Sequence, residues 1–236
     1  GGSDQWGNIT GGIDLTRRMN GASVQGLTMP LVTKADGTKF GKTESGTIWL
    51  DAGKTSPYAF YQFWLSTADA DVYKFLKYFT FLTVEAIDAL AQEDAEREGR
   101  PEAQRVLARE VTRLVHGEGG LEAAERITSA MFSGDESSLS ESDLAQLSLD
   151  GLPSSVIARE AIPETLTQLL TDAGMAASGK QVKDALGRSA VSINGISVSA
   201  ENNADPASCF VPEAAMHGCY FITRLGKKKV HLFIVE

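Results

Sequence analysis

The sequence predicts a multi-domain chain of α/β plus α character: the closing part of an open α/β domain, an all-helical middle, and a small α+β domain at the end. Three observations carry this. Glycine-rich turns frame short apolar runs over residues 1–55, apolar residues recur at helical spacing from Ser56 to Glu136, and two turn signals flanked by alternating apolar residues close the chain. The length of 236 residues, with 42% hydrophobic and 22% charged content, is globular in kind. At roughly 100 to 200 residues per domain it fits one to three domains.

The opening Gly1-Gly2-Ser3-Asp4-Gln5-Trp6-Gly7-Asn8-Ile9 and the following Gly12 to Met19 read as a tight turn entering a short helix, with Ile9, Ile13 and Leu15 facing inward. A helix N-terminus offers free N–H groups and partial positive charge, so Asp4 and Gln5 stand at the mouth of a candidate ligand site. Leu27 to Val32 is a short buried-strand candidate, and Thr47 to Leu50 reads as strand-like. Between them lies Gly37-Thr-Lys39-Phe-Gly41-Lys42-Thr43-Glu44, which places two lysines in one glycine-punctuated loop. Gly37 and Gly41 allow positive φ and close approach, and two ammonium groups can converge on one anion, a polyphosphate above all. The pattern is not a P-loop, because only three residues separate the glycines.

From Ser56-Pro57, an N-cap followed by a first-turn proline, Tyr58, Tyr61, Phe63, Trp64 and Leu65 form a bulky apolar face that predicts helix core and not a base-stacking platform. Further helices follow: one capped by Asp69 or Asp71 through Phe79, one over 83–95, one from Val106 to the stop at His116-Gly117, and one over 121–131. Residues 137–162, rich in Ser, Asp and Gly, read as a semi-ordered linker. In the last region, Leu166, Leu169 and Leu170 share a helix face ending at Gly174. Ser178 to Gln181 has the capping-box pattern and opens a helix through Leu186. Asn194-Gly195 between Val191, Ile193, Ile196 and Val198 is a strong hairpin signal, and Phe221 to Val235 around Gly226-Lys227-Lys228-Lys229 gives a second.

The net charge of −9 is unevenly spread. Residues 1–55 carry six basic against five acidic side chains, residues 56–159 nine against eighteen, and residues 160–236 seven against eight. Indiscriminate nucleic-acid binding is thereby excluded, while an anionic ligand is permitted at either end. Lys180, Lys183, Arg188, Arg224 and Lys227 to Lys229 are the residues that could follow a phosphate backbone. Cys209, His217, Cys219 and His231 match no zinc spacing, so no metal site is expected. No run approaches the roughly 18 apolar residues of a spanning helix. With an opening that is neither basic nor apolar, this predicts a cytoplasmic protein without membrane contact. The chain lacks an initial Met and opens inside a turn motif, which predicts a carboxy-terminal portion of something longer.

These pieces resemble one family over essentially the whole chain, the carboxy-terminal part of bacterial tyrosyl-tRNA synthetases. Gly2 to Ile9 looks like the family's signature in the second half of its nucleotide-binding fold, and Lys39-Phe-Gly-Lys42-Thr43 looks like its KMSKS-type loop. Leu107 to Gly117 resembles its helical anticodon-binding domain, and residues 163–236 its small RNA-binding domain shared with a ribosomal protein. The resemblance implies residues 1–55 as the end of a Rossmann-like class I catalytic domain, 56–136 as the anticodon-binding domain, 137–162 as linker and 163–236 as the RNA-binding domain. It implies activation of tyrosine by ATP with Mg2+, transfer to tRNA(Tyr), a homodimer for the full-length protein, and no tightly bound cofactor. Lys39 and Lys42 would be catalytic. Gly2, Asp4, Leu31, Val32, Lys42 and Thr43 would bind ATP, and Gln5 would bind tyrosine. The family's first half, with its His-containing ATP signature, has no counterpart in this sequence, so the chain alone is expected to be inactive. Two other readings stand beside this one: a tRNA-binding module without chemistry, and a piece of a tryptophanyl-type synthetase.

Overall fold

A computed structural model describes residues 1–38, 40, 42–43 and 46–236. The chain divides into two compact units, residues 1–48 with 68–71 and residues 49–67 with 72–236.

In the first unit a short 3-10 turn, Ser3–Gln5, leads into α1 (Trp6–Asn20), closed by Gly21 in the left-handed region at φ 63°. Ile9 and Ile13 are half-buried. They pack against the returning chain at Gly26, where a Cβ would come within 2.5 Å of Ile9 Cγ2 and 3.2 Å of Ile13 Cδ1. Leu15, expected inward, is exposed. The strand expected over Leu27 to Val32 reduces to one parallel bridge between Gly2 and Met29, and Leu27 is 76% exposed. An apolar run of this length is compatible with a strand, but ladder formation needs a second strand beside it, and among the described residues the run makes one bridge, to Gly2. The strand expected over Thr47 to Leu50 is likewise short. β1 (Lys42–Thr43) pairs antiparallel with β2 (Gly46–Thr47), and Trp49 and Leu50 are exposed.

The second unit begins with α2 (Pro57–Leu65), whose N-cap Ser56 accepts from Ala59 N–H. There follow α3 (Asp69–Phe79), of which residues 72–79 belong to this unit, α4 (Val84–Glu96) with Thr83 as N-cap, and α5 (Ala103–Ser133). The aromatic face of α2 buries Phe60, Tyr61 and Trp64, with Trp64 edge-on to Phe75 at 6.5 Å between ring centroids. The expected break at Gly117 is real in the backbone, with φ 72° and ψ −179°, yet helix resumes at once, so two expected helices form one kinked α5. Its principal partner is α2 along this buried face, where Gln62 Nε2 donates to Thr128 Oγ1 at 2.7 Å.

Residues 137–162 are ordered structure, which corrects the linker expectation. They hold α6 (Glu141–Gln146), a turn over Leu147–Gly151, and β3 (Ser154–Ile157). Leu139, Leu144 and Leu147 are fully buried there, and the Ser and Asp content that reads as linker is instead capping chemistry. Ser140 and Asp143 close a capping box on α6. Next come α7 (Leu166–Asp172), α8 (Gly179–Gly187), β4 (Val191–Ile193), β5 (Ile196–Val198), β6 (Tyr220–Leu225) and β7 (Lys229–Val235). The sheet order is β3-β7-β6-β4-β5, antiparallel except for the parallel β3–β7 pair. Both hairpins appear as expected, with Asn194 at φ 49° and Gly195 at φ 78° in the first turn and Gly226 at φ 64° in the second. The capping box expected at Ser178 does not form. Ser178 is the N-cap residue without a side-chain bond, and Gln181 Oε1 accepts from Ala177 N–H at 3.1 Å.

Alternation along β6 and β7 sends side chains to two different cores. Phe221, Phe233 and Val235 join Leu166, Leu170, Val182 and Leu186 of α7 and α8. Ile222 and Leu232 join Ile127 and Ala130 of α5 and Leu144 of α6. The terminal sheet therefore lies between its own two helices and the end of the helical block.

Candidate functional site

Three of the residues expected to hold ATP meet in the first unit. Gly2 is clamped by the bridge to Met29: Met29 N–H donates to Gly1 O at 3.0 Å and Ser3 N–H donates to Met29 O at 3.2 Å. A Cβ on Gly2 would collide with Asp4 Oδ1 and come within 3.7 Å of Leu31 Cδ1, so Gly2, Asp4 and Leu31 converge on one spot that only glycine leaves open. Gln5 Nε2 donates to Asp4 Oδ2 at 3.2 Å, and Asn8 Nδ2 donates to Gln5 Oε1 at 2.9 Å. A chain of three polar side chains at the entry of α1 fixes the carboxylate and the amide without burying either. Asp4 is exposed, with one carboxylate oxygen engaged by Gln5 and further acceptor capacity on the carboxylate.

Val32 belongs to the same segment, its carbonyl accepting from Phe40 N–H at 3.3 Å. Between them residues 34–38 close a tight turn. Lys34 N–H donates to Thr38 O at 2.9 Å, and Gly37 takes φ 82°. Asp36 Oδ1 accepts from Thr38 N–H at 2.8 Å and Thr38 Oγ1 at 2.6 Å. The Thr38 hydroxyl, then its N–H, hold the Asp36 carboxyl below its usual value. Sequence reasoning passes over Asp36; the Asp36-Gly37 dipeptide was the available signal. Lys39, Gly41 and Glu44, and the side chains of Lys42 and Thr43, lie outside the described residues, while the backbone of Lys42 and Thr43 is registered against Thr47 and Gly46.

The second expected set divides. Lys180, Lys183, Arg188 and Lys227 to Lys229 are exposed. The lysine turn is stitched to the chain leaving α8 by Gly226 N–H donating to Ala190 O at 2.7 Å, two residues past Arg188. One basic face thus joins the end of α8 to the tip of the β6–β7 hairpin. Arg224 is not part of it. Its Nε donates to Glu136 Oε1 at 2.6 Å and its Nη2 to Met131 O at 3.0 Å, with Glu136 only 3% exposed, so its charge is committed inward. Strand alternation places Arg224 on the face opposite Thr223, a signal present in the sequence once the second core is known.

Among the described residues no group of three His, Cys, Asp or Glu side chains is placed to hold a metal ion. Cys209 and Cys219 are free thiols, both pushed up in pKa by burial. No helix of the described residues is long and apolar enough to cross a membrane.

The chain thus carries a glycine-clamped cluster of polar side chains at the entry of α1 and exposed basic residues on its terminal domain. The chain belongs to the family described as tRNA synthetases class I (W and Y), whose profile matches residues 1–133. Within that class the tyrosine type is indicated, since residues 143–233 match the tyrosine–tRNA ligase SYY-like C-terminal domain. The chain is similar to a tyrosine–tRNA ligase of Aliivibrio fischeri, 62% identical over 234 residues that make up 99% of this chain and 53% of the relative. A tyrosine–tRNA ligase of Chromobacterium violaceum is 56% identical over 228 residues, 97% of this chain and 52% of that protein. A C-terminally truncated mitochondrial tyrosyl-tRNA synthetase of Coccidioides posadasii aligns at 35% identity and TM-score 0.43, covering 53% of this chain and 37% of that one. The chain spans about half the length of the curated relatives it matches.

Proposed function

We propose that this chain is the carboxy-terminal part of a tyrosine–tRNA ligase. It would act in the cytoplasm, in a full-length protein that is a homodimer, activating tyrosine with ATP and passing the tyrosyl group to tRNA(Tyr). The observation that supports this best is the convergence of Asp4 and Leu31 on Gly2 at the entry of α1, where no larger residue fits. A ribose hydroxyl fits the free Asp4 oxygen, the Gly2 backbone allows the sugar to approach, and Leu31 with Val32 offers an apolar edge for adenine. Gln5, held by Asp4 and Asn8, is presented as an amide to the tyrosyl side of the adenylate.

The chemistry asks for positive charge where pyrophosphate departs. Tyrosine carboxylate attacks the α-phosphorus, the bond to the bridging oxygen breaks, and negative charge grows on the leaving pyrophosphate. Lys39 and Lys42 are the cations assigned to that charge, with Thr43 beside them; Mg2+ enters as part of the substrate, bound to the ATP phosphates. Preorganised donors aimed at developing charge commonly supply a factor of about 100 to 1,000 each in rate. In the second step the exposed cations Lys180, Lys183, Arg188 and Lys227 to Lys229 hold phosphates of the tRNA, and Arg224 does not.

In the full-length protein, Lys42→Ala should slow tyrosine-dependent exchange of pyrophosphate into ATP by about 100-fold or more, while equilibrium tyrosine binding changes little. Exchange at the parent rate, or a loss confined to tyrosine affinity, would remove Lys42 from the reacting centre. A full-length protein with no tyrosine-dependent exchange at all would overturn the ligase reading.

A further inference from the structure

The basic face is carried on a sheet that leans on the helical block. Three polar ties join the block to the segment 135–151 and to the sheet. Asp143, wholly buried, receives both Arg126 Nε and Nη2 at 2.8 Å from α5. Asp150 Oδ2 accepts from Ser56 N–H at 2.9 Å and Oδ1 from Ser56 Oγ at 2.6 Å, at the start of α2. Glu136, just past α5, receives Arg224 of β6. Between these ties lies the shared core of Ile127, Ala130, Leu139, Leu144, Leu147, Ile222 and Leu232. Each tie crosses an element boundary, and each uses a carboxylate whose partner is a guanidinium or a helix N-terminus, the directional and stronger class of hydrogen bond.

We infer that Glu136, with Arg126 and Asp143, is a positioning residue for RNA: it fixes the lysine face rigidly on the helical block, so that a bound RNA is presented in one orientation. Arg224 lies one residue from the hairpin end, its strand partner being Val230, beside Lys229. The Glu136–Arg224 pair therefore holds the very hairpin whose tip carries Lys227 to Lys229. Phosphate contacts set how strongly RNA is held, whereas the frame that carries them sets where it is held. Loosening the frame leaves the phosphate count unchanged and lowers the fraction of bound RNA in productive alignment. A misplacement of about 1 Å can cost 100-fold in a reaction. The inference rests on the lysine face being the RNA-binding surface proposed above.

The test uses the full-length protein with tRNA as the probe. Glu136→Ala should lower tyrosyl transfer to tRNA, read as kcat/KM for tRNA, by fivefold or more, with Glu136→Gln intermediate. Pyrophosphate exchange, which needs no tRNA, should stay at the parent value, and so should the slope of log tRNA affinity against log salt. Unchanged transfer would overturn the inference, and so would a reduced slope, which would make Glu136 a local support of the lysine contacts and not a fixer of orientation. Changing Lys227, Lys228 and Lys229 together to Ser should lower that slope by roughly one to three. If it does not, the RNA-surface reading fails, and it fails separately from the positioning role. A further measurement needs no variant. In the unaltered 236-residue chain, amides of β6 and of the last two turns of α5 should exchange with the same opening free energy, as one cooperative unit. Exchange of β6 independent of α5 would mean that the sheet is hinged and not fixed.

Discussion

Asp94 does for α5 what the residue at that helix's own N-cap position does not. Glu102 makes no side-chain cap bond, and instead the Asp94 carboxylate, from the end of α4, accepts Glu102 N–H at 2.7 Å and Ala103 N–H at 3.0 Å, with the Tyr73 hydroxyl at 3.0 Å. Burial pushes this carboxyl up, but the two backbone N–H groups, the Tyr73 hydroxyl and Arg97 outweigh it and hold it below its usual 3.8. Asp94→Ala leaves those donors unpaired and should cost on the order of 2 kcal/mol in urea unfolding at pH 7. Because the folded value is depressed, this stability is present above pH 3.8 and fades as pH falls through the folded value, so parent and variant should converge in acid. His231 titrates in a higher window. It is buried, bonded to Ser155 Oγ at 2.9 Å across β3 and β7, and burial lowers its pKa from 6.5. Folding therefore favours neutral imidazole, and the chain should lose stability as pH drops below 6.5. His231→Gln should flatten the thermal melting point between pH 7 and 5; an equally steep fall in the variant would assign the effect elsewhere. The residue types at these points were visible in the sequence, but their roles were not. Asp94 meets its backbone donors across a loop, and His231 meets Ser155 across 76 positions of chain.

At the scale of elements, local rules carried far where the deciding interaction lies within a few residues. Ser56-Pro57 and the two hairpin turns are legible because cap and turn geometry is set by neighbours along the chain. The rules misled where a partner lies elsewhere than the pattern implies: Leu27 to Val32 makes a single bridge, to Gly2, among the described residues, and Ser178 has a pattern whose Gln bonds a different N–H. Gly117 is the instructive intermediate. Its φ of 72° with ψ of −179° is a region essentially confined to glycine, and helix continues on both sides, so the residue bends α5 without ending it. Gly120, one turn on, has the His116 Cβ within 2.6 Å and Pro57 Cβ within 3.6 Å of where its own Cβ would be. The bend is what lets the second half of α5 lie against the start of α2. Gly117→Ala should therefore destabilise the chain by about 1 to 3 kcal/mol, readable as a lower melting temperature. A neutral result would show that α5 tolerates a straight course there. Phe132, 95% exposed one turn beyond Thr128, is a useful control, since Phe132→Ala removes no packing and should leave the melt unchanged.

At the scale of the molecule, Gly2 to Ile9 and Gly37 to Thr43 stand out in the sequence because they are contiguous motifs, whereas the burial of residues 139–147 does not. Serine, aspartate and glycine over 137–162 mark loops in general, and nothing local reveals that Leu139, Leu144 and Leu147 close a core whose other wall is Ile222 and Leu232. A cut at residue 163 would remove β3 from the edge of β7 and strip the cover from one face of β6 and β7. That face carries Ile222, Val230, Leu232 and Tyr220, all buried or half-buried in the intact chain. Two-sided burial is ordinary for a sheet with helices on both faces, and such a sheet loses stability when either layer is taken away. A chain of residues 163–236 alone should therefore expose a contiguous apolar surface, bind a hydrophobic dye and melt without a sharp transition. The 236-residue chain should show a cooperative transition for this region. Lost layers also predict weak RNA binding by the short chain even though it retains Lys180, Lys183, Arg188 and Lys227 to Lys229, since contacts on a fluctuating hairpin lose their common geometry. A sharp melt of residues 163–236 with the intact chain's midpoint, monitored by near-ultraviolet circular dichroism, would show instead that α7, α8 and four strands are a self-sufficient unit and that the helical block only abuts it.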